Sequence, residues 1–181
     1  MTAQRALPTR RTALTLVVAG AGGAMHSSCG RLGGEENQPT MGPPIVPDAE
    51  SALAVANDLL ADARNALDDA FGELGWQPDP ETGPRADPQD DGTCALHPAV
   101  LRSQQYLGHE LGTPEEIAQA LDPVMREHGL PPVDPPTDRT GGWLVTESTI
   151  GSLSFSFRSK GYSEISTSAA AGGQTCEVPG G

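Results

Sequence analysis

Long apolar runs, lysine, cysteine and aromatic residues are all scarce in this chain, and each scarcity narrows what it can be. The longest apolar stretch is residues 12–25, TALTLVVAGAGGAM. At 1.5 Å of rise per residue this run falls well short of a hydrocarbon layer about 30 Å thick, so no membrane-spanning helix is expected from it. Lys160 is the only lysine. Basic residues number 11 against 24 acidic ones, a formal net charge of −13. Three of the basic residues, Arg5, Arg10 and Arg11, lie in the first 28 positions, where there is no acid. The remainder therefore sets eight basic residues against 24 acidic ones, a net of −16. A domain so acidic has no footprint for nucleic acid, whose phosphates demand basic side chains. It also repels anionic lipid, so any attachment to a membrane has to be covalent rather than electrostatic.

Catalytic signatures are missing too. There is no G-x-S-x-G elbow, no H-E-x-x-H pair, no P-loop and no dinucleotide fingerprint. His97, His109 and His128 fall in three separate segments without ligand spacing. His109 reads as a loop-edge residue, and His128 as a cation at a helix C-terminus, where the macrodipole favours positive charge. Asp87-Pro88-Gln89-Asp90-Asp91-Gly92 clusters oxygen ligands before a glycine but lacks the alternation and the later glutamate of a calcium loop. It reads as a solvated acidic loop. Glu147 and Glu164 sit on consecutive β-runs and could form a carboxylate pair, although solvent-facing alternation accounts for them equally. The serines at 148, 152, 154, 156, 159, 163, 166 and 168 are too many to nominate a nucleophile and read as the wet face of a sheet. No catalytic residue, metal or cofactor is expected.

What is present begins with an export signal. MTAQRALPTRR is a positive n-region ahead of the apolar run, and together they predict a signal peptide over residues 1–28. Thr9-Arg10-Arg11-Thr12-Ala13-Leu14 partly matches a twin-arginine signal, so both export routes stay open. His26-Ser27-Ser28-Cys29-Gly30 resembles a lipobox, in which a cysteine behind small residues takes a diacylglyceryl group. His26 stands where an aliphatic residue is usual. The competing reading is cleavage after Ala19-Gly20-Ala21, which leaves Cys29 as a spare thiol and the protein secreted. Cysteine parity bears on the choice, because the three cysteines are Cys29, Cys94 and Cys176. An exported chain with an odd count needs a reason for the odd one. Lipid on Cys29 supplies it and leaves Cys94 and Cys176 to form a disulfide.

Residues 29–47 are rich in glycine and proline with no apolar period, and read as a tether. A single domain is expected over 48–178, with a disordered tail at 179–181. Asp48 can cap a helix whose apolar stripe runs from Leu53 to Leu74 and stops at Gly75. Trp76-Gln77 opens a short extended piece, and Pro78 to Gly92 reads as a surface loop. Val100 to Leu111 predicts one strand. Thr113-Pro114-Glu115-Glu116 spells a capping box that starts a second helix, which Gly129 ends. Residues 130–142 read as another loop. From Trp143 the period becomes two, and WLVTEST, SLSFSFR and YSEISTS predict three strands. The expected fold is α+β, with two helices packed on one face of a small antiparallel sheet in the order α-β-β-α-β-β(-β).

These features in this order resemble the small actinobacterial envelope lipoproteins, of which the mycobacterial LppA-like proteins are an example. The likeness rests on the basic start, Ser27-Ser28-Cys29, Gly92-Thr93-Cys94, Thr113-Pro114-Glu115-Glu116, the β-rich end and Cys176. It implies an envelope lipoprotein and transfers no catalytic residue. The expectation is therefore an exported protein anchored by lipid to the extracytoplasmic face of the cell membrane. It would act as a non-catalytic interaction module with an envelope protein partner. The alternative is a carrier or sensor of a small apolar ligand, which needs a cavity lined by Phe71, Trp76, Trp143, Phe155 and Phe157.

Overall fold

Asp48 starts the first helix as the sequence suggests: its carboxylate accepts the Ser51 amide at 2.8 Å and the Ser51 hydroxyl at 3.0 Å. The computed structural model describes residues 46–139, 141–172 and 176–180. Helix α1 spans Ala49–Phe71 and buries Ala52, Ala56, Leu59, Leu60, Ala63 and Leu67. The alanines leave nothing beyond Cβ, so the helix lies close on the sheet. The Thr167 hydroxyl reaches up from a strand to donate to the Ala56 carbonyl at 2.8 Å. The helix stops at Phe71, earlier than the apolar stripe implies. Gly72, at φ 87°, gives its amide to Asp68 O at 2.8 Å. The Asp68 side chain takes the Leu74 amide at 2.9 Å, so the chain leaves the helix axis before Gly75.

Helix α2 is Pro114–Glu127. Its capping box is complete: Thr113 N–H donates to Glu116 Oε2 at 2.9 Å, and Glu116 N–H to Thr113 Oγ1 at 3.2 Å. At the other end Leu130 N–H bonds Met125 O at 2.8 Å and Gly129 N–H bonds Arg126 O at 3.1 Å. This pair of bonds with Gly129 at φ 72° is a Schellman stop. The helix packs on α1, and Ile117 and Leu144 crowd the same side of Gly108.

The strands are β1 Gln77–Pro78, β2 Arg85–Pro88, β3 Cys94–His97, β4 Leu101–Ser103, β5 Thr137–Arg139, β6 Trp143–Ile150, β7 Leu153–Ser159 and β8 Ser163–Ala171. They form one eight-stranded sheet whose strand pairs are all antiparallel. The fold is thus α+β, as expected. Strand β8 is its centre. One flank of β8 pairs with β7, which leads on to β6 and β5; the other is shared by β4 near Ser163–Ile165 and β3 near Ala169–Ala171. Seven steps from Cys94 to Leu101 oppose six from Ala171 to Ile165, so β3 and β4 are one strand interrupted by an extra residue. Pro98, which has no N–H to give a ladder, lies at the interruption.

Three expectations change here. The stretch 78–92 is not all loop, since β2 pairs with β3 within it. Likewise β5 lies inside 130–142 and pairs with β6. The strand expected over Val100–Leu111 is only Leu101–Ser103, because the Ser103 hydroxyl ties the chain to Leu74 O at 2.6 Å and accepts the Gln105 amide at 3.1 Å. At the N-terminal side Val46 bridges Ala171, and its carbonyl accepts the Gly172 amide at 3.1 Å. The core is one cluster between α1, α2 and the inner sheet face, built on Leu59, Leu67, Leu96, Ile117, Leu121, Met125, Phe155, Phe157 and Ile165.

Candidate functional site

Alternation along the three long strands divides their residues between two faces. Leu153, Phe155 and Phe157 of β7 and Ile165, Ala169 and Ala171 of β8 face the helices and are buried. The opposite face, called outer here, carries Ser154, Ser156 and Arg158 from β7, Glu164, Ser166, Ser168 and Ala170 from β8, and Val145, Glu147 and Thr149 from β6. Both helices lie on the inner side.

The serines do not form one wet face. Ser154, Ser156, Ser166 and Ser168 are on the outer face, and Ser154 and Ser168 share a hydroxyl bond of 2.6 Å. Ser148, Ser159 and Ser163 point inward and are buried. Ser148 donates to Pro131 O at 2.7 Å, while Ser163 donates to Gln105 O at 2.9 Å and accepts the Leu107 amide at 3.1 Å. Thr146 adds a bond to Asp134 O at 2.7 Å. These hydroxyls fasten the segments around 105–107 and 131–134 to the inner face. A small side chain is tolerated there because its oxygen is satisfied by loop backbone.

Glu147 and Glu164 are not a carboxylate pair, since β7 runs between their strands. Glu147 is exposed. Glu164 is 1% exposed and sits under two arginines. Its Oε1 accepts Arg102 Nε at 3.1 Å and Nη2 at 2.9 Å, and its Oε2 accepts Arg158 Nε. Arg102 Nη2 also donates to the buried Asp79 at 2.9 Å. The hydrogen bonds to Glu164, with help from Asp79 and against partial desolvation, raise the Arg102 pKa above its ordinary value. Arg102 lies 4.5 Å from the centre of the Tyr162 ring, and Arg158 5.2 Å from that of Trp143. The two rings meet edge to face at 5.5 Å. Arg139 is paired with Trp143 across β5–β6, so one end of the outer face gathers arginines and aromatic rings.

The other end is acidic. An open cleft of about 750 Å³ lies between the β2–β3 turn and the β6–β7 turn. Gln89, Asp90, Asp91 and Thr93 line one wall, Thr149, Ser152 and Ser154 the other. Asp91 accepts the Thr93 hydroxyl at 2.7 Å and its amide at 3.0 Å, and these bonds hold its carboxyl below the usual range. Asp87 is engaged elsewhere, by Arg85 at 3.1 Å and His97 at 3.2 Å. Burial, then the nearby Arg85, lowers the His97 pKa, and Asp87 opposes both.

The remaining histidines stand apart. His128 caps α2 and bonds Asp62 of α1 at 2.8 Å, while His109 stacks on Tyr106 at 4.1 Å between centroids. Among the described residues no three His, Cys, Asp or Glu side chains converge as a metal cluster. The aromatics needed by a carrier do not share one cavity. Phe155, Phe157 and Trp76 are core residues, Phe71 lies between the α1 end and Gly112, and Trp143 belongs to the arginine cluster of the outer face.

Cys94 and Cys176 stand at disulfide distance, with sulfurs 2.02 Å and Cα atoms 5.3 Å apart. Cys29, the lipobox-like residues and the signal segment lie outside the described residues. No helix among those described is long and apolar enough to cross a membrane. The Arg102–Glu164–Arg158 cluster was beyond sequence reasoning, because it joins positions 62 apart in the chain through strand register alone. Comparisons with protein-family models, with curated proteins and with solved structures find no match.

Proposed function

We propose that this chain is an exported protein held by lipid on Cys29 at the extracytoplasmic face of a membrane. Its folded domain acts as a non-catalytic interaction module through the outer face of the sheet. The observation that carries the second part is the asymmetry of the sheet. Helices and hydroxyl-anchored loops cover the inner face, whereas the outer one presents short hydroxyl and alanine side chains between a basic end and an acidic end. The titratable groups gathered there, Glu164, Asp79, Arg102 and Arg158, are engaged with one another, which suits a rigid recognition surface rather than proton transfer. The pairing of Cys94 with Cys176 supports the anchor, since it leaves Cys29 as the odd cysteine behind an export signal.

The test is partition. Expressed in an actinobacterial host, the natural chain should enter the detergent phase and take up labelled fatty acid. The Cys29→Ala chain should lose both properties and appear in the culture fluid. A natural chain that stays in the aqueous phase without label would remove the lipid anchor from this reading.

A further inference from the structure

The two ends of the outer face are complementary to each other, and on one molecule they cannot meet. We infer that the outer face docks on the same face of a second copy of this chain. The two-fold axis lies across the strands and sets the basic end of each copy over the acidic cleft of the other. This rests on the outer face being the working surface, as proposed above, but is independent of the lipid.

Three observations carry it. The first is charge. Arg139, Arg158 and Lys160 are exposed at one end, beside Trp143 and Tyr162, in a chain whose net charge is −13. Asp90 and Asp91 are exposed at the cleft. Repulsion between two such acidic molecules disfavours most mutual orientations and leaves the one in which these arginines and Lys160 approach Asp90 and Asp91. An axis parallel to the strands would instead set basic end on basic end.

The second is register. On β7, Arg158 and Ser154 lie equally far from Ser156, on the same face. An axis through the row Glu147–Ser156–Ser166 therefore places Arg158 of each copy over Ser154 of the other, at the wall of the cleft. The roughly 10 Å separation of packed sheets lets a long arginine or lysine reach into an opening of about 750 Å³.

The third is area. The eight strands hold 40 residues, so at about 3.3 Å per residue and about 4.8 Å between strands the whole face measures roughly 600 Å² per copy. Two copies bury about 1,200 Å², the lower bound for a specific, stable interface. The short serine, threonine and alanine side chains of β7 and β8 let the sheets approach, and in the axis row only Glu147 opposes that approach. The pair is isologous and closes on itself, so no filament follows.

The experiment uses the full chain carrying Cys29→Ser, so that neither lipid nor detergent drives association. Sedimentation at about 100 μM should give the mass of a dimer. Arg139→Glu with Lys160→Glu makes both ends acidic, and Asp90→Arg with Asp91→Arg makes both ends basic; none of these four side chains is buried. Each double variant should be monomeric while keeping the circular dichroism and melting cooperativity of the parent. An equimolar mixture of the two should regain dimer mass, because the altered ends are again complementary. Glu147→Gln should tighten the dimer severalfold, as the axis brings the two Glu147 carboxylates toward each other. A monomeric parent, double variants that still dimerise, a mixture that stays monomeric, or no effect of Glu147→Gln overturns the inference. A failed lipid test with an intact dimer would sink the anchor alone.

Discussion

Glu164 shows how far a single position can depart from its local signal. In YSEISTS it alternates with Ser163 and Ile165 and belongs, correctly, to the face away from the helices. That face is not solvent at this point, because Arg102 arrives from β4 and Arg158 from β7 to cover it. Burying a carboxylate is costly unless charge and hydrogen bonds satisfy it. Here both oxygens are satisfied, but Arg158 is 52% exposed, so solvent screens part of the pairing. Glu164→Gln is accordingly expected to cost about 1–3 kcal/mol, less than breaking a fully sealed pair. Arg102 touches both buried carboxylates, Glu164 and Asp79, whereas Arg158 touches only one. In urea denaturation Arg102→Met should therefore lower the midpoint more than Arg158→Met. Equal midpoints would mean that Asp79 draws nothing from the arginine.

At the scale of elements, both helix starts and the end of α2 were legible, whereas the end of α1, at Gly72 rather than Gly75, and the edge strands were not. Thr113, Glu116 and Gly129 act on backbone groups within a few residues, so their meaning is contained in the local sequence. Strands β2 and β5 carry no such signal. Period-two patterning arises when one face of a strand is buried, and the residues of β5 are exposed throughout. Glycines on either side of α2 separate two kinds of constraint. Gly129, at φ 72°, has open space where a Cβ would stand, so Gly129→Ala should cost about 1 kcal/mol in backbone strain alone. Gly112, at φ 69°, lies against the Phe71 ring, and a Cβ there would overlap it. Gly112→Ala should exceed Gly129→Ala by about 1–2 kcal/mol, as overpacking adds to strain. Chemical denaturation of the two variants decides this, and equal losses would show that the Phe71 ring moves aside freely.

For the whole molecule, Cys94 and Cys176 are 82 positions apart, a closure that encloses α2 and every strand from β4 to β8. The chain-entropy model assigns such a loop about 4–5 kcal/mol, a large part of the roughly 5–15 kcal/mol typical of a domain. Cys94 lies opposite Ala171, so a bond to Cys176 holds the end of the chain to the sheet where β3 meets β8. The unreduced, unfolded protein is expected to show no titratable thiol at these positions. Cys94→Ser with Cys176→Ser should lower the melting temperature by roughly 10 °C or more. Free thiols before reduction, or an unchanged melting temperature, would contradict the disulfide.

By itself, the sequence determined what depends on near neighbours and on composition. That includes the two helices with both N-caps and the Gly129 stop of α2, the three long strands, the α+β class and the pairing partner left for Cys94 once Cys29 is set aside. Only the tertiary structure decided which distant strands and loops would lie against each face of the sheet. Alternation says that two residues share a side of one strand, but not which distant strand lies alongside. Ser163 was turned inward by the backbone near Gln105, and Glu164 was enclosed by Arg102 and Arg158. Those partners were chosen by the register of β8 against β4 and β7, which depends on packing summed over the whole sheet.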